Sequence, residues 1–119
     1  MKNPFKTLAK RLVTAESNRI FRKAIMLAEK RHNEEGKRIY VIEHPENPKK
    51  LLLINDKEFL ELRHRYGITS KQQPIRMLKS QCWYYTSNGS GKDPIDPRSL
   101  TVRKLAFIRD RLISAKLIE

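Results

Sequence analysis

Between Arg38 and Ile54 the apolar residues stop recurring at helical spacing and become almost continuous. Ile39, Tyr40, Val41 and Ile42 form one run, and Leu51 to Ile54 form a second. His44-Pro45-Glu46-Asn47-Pro48 stands between them. β-Branched and aromatic runs parted by turn residues read as a β-hairpin with a longer turn. Runs without alternation call for cover on both faces, so helices are expected on at least one. The hairpin sits between helical patterns. The expected fold class is therefore α+β, with a small, mainly antiparallel sheet of about three strands packed by four or five helices. At 119 residues the chain is expected to form one domain, 1–119.

Upstream, residues 4–16 read as a short amphipathic helix. Phe5, Leu8, Ala9, Leu12 and Val13 fall to one side, and Lys6, Lys10 and Arg11 to the other. Ser17 and Asn18 read as a break or a new N-cap. A second helix then runs to about Glu35, where Gly36 stops it. The two apolar faces do not run on smoothly, so two helices are expected. The first, within residues 1–16, is expected to dock its apolar face on the domain or on a second copy.

Downstream, Asn55 or Asp56 can cap a helix running to Tyr66, with Gly67 ending it. Ser70 can cap another helix through Ser80. Cys82 to Thr86, with Trp83, Tyr84 and Tyr85, reads as a third strand. Residues 87–97 read as a flexible loop, since they contain Asn88-Gly89-Ser90-Gly91 and two prolines, Pro94 and Pro97. A last helix opens at Arg98 or Ser99 and runs towards Lys116. Its stripe of Val102, Leu105, Ala106, Ile108, Leu112 and Ile113 is expected to face the core.

The formal net charge is +13, and it is unevenly placed. Residues 1–38 carry +7, residues 39–66 carry none and residues 67–119 carry +6. Two basic flanks of this kind attract polyanions. Nucleic acid, DNA or RNA, is the first partner to expect. An acidic protein comes second and a membrane surface, met by an amphipathic helix over Lys2 to Val13, comes last. A homo-oligomer is compatible with all three. The single cysteine, Cys82, excludes an intramolecular disulfide. There is no secretory signal pattern and no apolar run of membrane-spanning length, which places the expected location in the cytoplasm.

No motif points to catalysis, a metal or a cofactor. Gly89-Ser90-Gly91-Lys92 resembles a phosphate loop, but Thr86 stands where the first glycine belongs and Asp93 where the hydroxyl belongs. His32, His44 and His64 lie far apart and lack zinc-site spacing. Cys82, in an aromatic run, reads as a small buried hydrophobe. Glu58 and Glu61 share a helical side, as solvated pairs commonly do. The expectation is a non-enzyme.

The candidate nucleic-acid contacts are Arg22, Lys23, Lys71, Arg76, Arg103 and Arg111. Arg22 and Lys23 share a helical face, and Arg103 and Arg111 flank Phe107 at four-residue spacing, a pattern that can hold phosphates and stack a base. Residues 58–81 also resemble a helix-turn-helix, with Tyr66-Gly67-Ile68-Thr69 as the turn. Ser70, Lys71, Gln72 and Gln73 would then meet base edges. Arg63 and Pro74 depart from that pattern and Ile75 comes late, so two ordinary helices joined at Gly67 are the preferred reading.

The residues Arg38 to Ile42, Leu53-Ile54-Asn55-Asp56, Gly67-Ile68-Thr69 and Cys82 to Thr86 are together similar to small uncharacterised basic proteins of Bacteroidetes. The resemblance implies a small α+β protein and carries no activity.

Overall fold

The hairpin forms where the period changes. In the computed structural model, which describes residues 4–47 and 49–119, β1 is Tyr40–Glu43 and β2 is Leu51–Ile54. They pair antiparallel with Tyr40 opposite Ile54. A third strand, β3 (Tyr84–Tyr85), pairs antiparallel with the other side of β1, giving the order β2-β1-β3. Bonds from the Trp83 amide to the Val41 carbonyl and from the Thr86 amide to the Ile39 carbonyl extend this short pairing. The Thr86 hydroxyl accepts from the Ile39 amide, so the strand ends with its polar groups satisfied. Ile39, Tyr40 and Val41 are all buried, as an apolar run covered on both faces must be.

One helix, α1 (Pro4–Glu35), precedes the sheet where two were expected. Lys2, where the amphipathic pattern was expected to begin, lies outside the described residues. Ser17 does not cap a new helix. Its hydroxyl donates to the Val13 carbonyl four residues back, which satisfies the side chain without leaving the helix. Ser17 is fully buried, in line with Phe21, Ala24 and Ala28. The mismatch of faces is real and has a different cause. Leu8 and Leu12 stand nine residues before Ser17 and Phe21, about two and a half turns, so they lie on the opposite side of the same helix. The N-terminal part of α1 therefore does not dock its apolar side on the domain.

α2 (Asp56–Arg65) starts at Asn55, whose Oδ1 accepts from the Glu58 amide while the Glu58 carboxylate accepts from the Asn55 amide. Arg31 ties this start to α1. It donates to the Leu53 carbonyl and pairs with both Glu58 and Glu35.

No helix begins at Ser70. Residues 69–73 form a turn in which the Thr69 carbonyl accepts from the Gln72 and Gln73 amides. Arg63 holds the Gln73 carbonyl. Pro74 has no amide to donate and biases Gln73 away from helical geometry, so helical bonding resumes only after it. A 3₁₀ turn over Ile75–Met77 leads into the one-turn helix α3 (Leu78–Gln81). A recognition helix led by Ser70 to Gln73 is therefore not built.

The segment 87–97 is a loop, as expected, and it is tied to the rest. Arg38 donates to the Asp93 carbonyl and pairs with its carboxylate, which Lys79 also reaches. A side chain at Gly89 would meet the Gly36 carbonyl oxygen at 2.8 Å, so the loop closes on the end of α1 only with glycine there.

α4 (Pro97–Ser114) is capped by Asp96 and packs along α1. Its buried residue is Phe107, whose ring meets Phe21 at 5.3 Å and Trp83 at 5.4 Å. The stripe expected to face the core is turned outward: Val102 is 67% exposed and Leu105 62%. One aromatic side chain fills more volume between α1 and the sheet than the aliphatic stripe would, and the arginines a turn away on each side find carbonyl and hydroxyl partners there.

Candidate nucleic-acid interface

Arg19, Arg22, Lys23 and Lys30 recur at spacings of three, four and seven along the exposed side of α1. Opposite them stands the β1–β2 turn. His44 Nδ1 accepts from the Glu46 and Asn47 amides, the Asn47 Oδ1 accepts from the Lys49 amide, and the Lys50 carbonyl accepts from the His44 amide. These bonds fix Lys49 and Lys50 beside the helix. The helix and turn enclose an open groove of about 370 Å³ lined by Arg19, Lys23, Lys49 and Lys50 over a floor of Ile20, Leu27, Leu51 and Leu53. A second concavity, formed by Arg19, Arg22, Lys23 and Met26, adjoins it through the two shared cations.

No carboxylate lines either concavity. Arg19, Arg22, Lys23, Lys49 and Lys50 take part in no ion pair among the described residues. Low competition from neighbouring acids is what a phosphate site needs. No aromatic ring lines the groove, so it offers backbone contact without base stacking.

Of the six residues expected to contact nucleic acid, Arg22 and Lys23 stand in this cluster. Lys71, in the turn after α2, and Arg76, in the 3₁₀ turn, are exposed but line neither concavity. Arg103 and Arg111 are held by the domain itself. Arg103 donates to the Lys79 and Cys82 carbonyls at 2.8 and 2.9 Å, with its guanidinium over the Tyr85 ring. Arg111 donates to Ser17 and lies over the Phe107 ring. Arg19, Lys49 and Lys50 were missed. For Arg19 the signal was its spacing from Arg22 and Lys23, and for the lysines their place beside a tight turn.

The other chemically suggestive residues have settled roles. The Cys82 thiol is buried, donates to the Lys79 carbonyl and has its pKa pushed up by burial, against the pull of Arg103. In the glycine loop the Ser90 and Lys92 amides both donate to the Asn88 side chain, so they do not form a phosphate cradle. No helix among the described residues is long and apolar enough to cross a membrane. The chain matches no family model, no curated protein and no solved structure.

Proposed function

We propose that the chain binds nucleic acid through phosphate contacts made by Arg19, Arg22, Lys23, Lys49 and Lys50. The observation that carries this reading is the gathering of five exposed cations, none of them in an ion pair among the described residues, from two separate elements around adjoining concavities that contain no acid. The net charge of +13 supplies long-range attraction to a polyanion. Without an aromatic ring to stack on, or a helix led into a groove by Ser70 to Gln73, the contact reads backbone rather than sequence.

The test is binding of the full chain to labelled duplex DNA, single-stranded DNA and RNA at two salt concentrations, with an unrelated basic protein as control. A fall in affinity on the order of a hundredfold or more between about 50 and about 200 mM salt, beyond that of the control, supports the reading. Binding no tighter than the control's at the lower salt overturns it and leaves an acidic protein as the partner to seek.

A further inference from the structure

The N-terminal part of α1 carries an apolar row that its own domain does not cover. Phe5 is 81% exposed, Leu8 54% and Leu12 62%. Their direction follows from the helix itself, because Leu8 and Leu12 lie opposite Ser17 and Phe21, which face the core. A membrane ranks last among partners only while this row is buried against the domain or a second copy, and the domain does not bury it.

Two observations select the occupant. Between Pro4 and Ala15 there are three cations, Lys6, Lys10 and Arg11, and no carboxylate. A second copy laid along this segment would bring like charges together with no acid to offset them. The row is also narrow. Three side chains at these exposures offer roughly 350 Å², well short of the approximately 800 Å² per partner of a stable protein interface. An anionic bilayer needs only shallow insertion of a few apolar side chains, with cations beside them.

We infer that residues 4–15 of α1 dock flat on an anionic lipid surface, with Phe5, Leu8 and Leu12 at the boundary between headgroups and acyl chains and Lys6, Lys10 and Arg11 at the lipid phosphates. The segment is about 18 Å long at 1.5 Å per residue, so it lies on the bilayer rather than across it. Arg19 stands in line with Leu8, about three turns on, and ends the apolar row with a charge. Nucleic-acid binding is independent of this docking, since it uses the groove between α1 and the hairpin turn.

The experiment is co-sedimentation of the full chain with phosphatidylcholine vesicles, with and without phosphatidylserine, comparing the wild type with the double variant Leu8→Gln/Leu12→Gln. The substitutions leave the net charge unchanged and fall on exposed positions, and circular dichroism confirms that the helix is retained. The expected result is binding that requires phosphatidylserine and weakens at least about tenfold in the double variant. Equal binding of the two proteins means adhesion by charge alone and overturns the inference. No binding by the wild type overturns it as well. A dimer in sedimentation velocity that dissociates on the double substitution assigns the row to a second copy, and that too overturns it.

Discussion

Arg111 of α4 donates its Nε to the hydroxyl of Ser17 on α1 at 3.0 Å. The same hydroxyl donates to the Val13 carbonyl, so Ser17 is both donor and acceptor at a site with no solvent. A residue that reads as a helix start is thereby kept inside one long helix, and an arginine that reads as a surface cation becomes part of the packing. Replacing Arg111 with Ala is expected to lower stability by about 1–3 kcal/mol, since it removes the Ser17 partner and the cover over Phe107. Urea unfolding measures this. Wild-type stability together with impaired nucleic-acid binding would put Arg111 in the interface instead.

Phe107 and Leu105 make a second test of which side of α4 is the inner one. Phe107→Ala removes a ring packed on Phe21 and Trp83, at an expected cost of about 3–5 kcal/mol. Leu105→Ala, at an exposed position, is expected to stay within about 0.5 kcal/mol. Thermal or denaturant unfolding of the pair decides it, and a reversed order would mean that α4 is rotated.

How much of the fold was legible depended on whether a residue's signal was local. Asn55, Gly36 and the runs at Ile39 and Leu51 act within a few residues of themselves, and the cap, the stop and the hairpin all stand where they read. Ser17 carried a local cap signal that Arg111, 94 residues away, outweighs. Phe107 looked like an interruption in an apolar stripe because its partners, Phe21 and Trp83, come from distant segments. The same holds for the basic groove: Lys49 and Lys50 meet Arg19 and Lys23 only once the hairpin folds back on α1. Pro74 carried a local signal that the periodicity of Ile75, Met77 and Leu78 obscured.

The groove predicts a difference between cations of equal charge. Arg19→Ala/Lys23→Ala is expected to weaken duplex binding and to make log affinity fall less steeply with log salt, by about 0.9 in the slope for every phosphate that the variant no longer neutralises. Lys71→Ala/Arg76→Ala removes the same charge from residues that line neither concavity, and is expected to change the slope by less than about 0.9, the value of a single phosphate. Fluorescence anisotropy across a salt series separates the two. Equal effects would show that only net charge matters and that the groove is no site.

Tyr40 ties the sheet to the alkaline limit of the fold. Burial first, and then the carboxylate of Asp56, push its phenol up from 10.0 to about 12. Tyr84 is shifted in the same direction by burial and by its bond to Glu29. In the folded chain both phenols stay protonated when those of the unfolded chain begin to ionise. Their contribution is therefore complete below pH 10 and is lost as pH rises from there towards 12, because the unfolded state alone releases protons over that interval. Urea unfolding at stepped alkaline pH is expected to show stability falling across this window, while Tyr40→Phe, which has no phenol to ionise, falls less steeply. Parallel curves for the two proteins would mean that the Tyr40 phenol titrates alike in both states, and that its burial against β2 and α2 does not hold the proton.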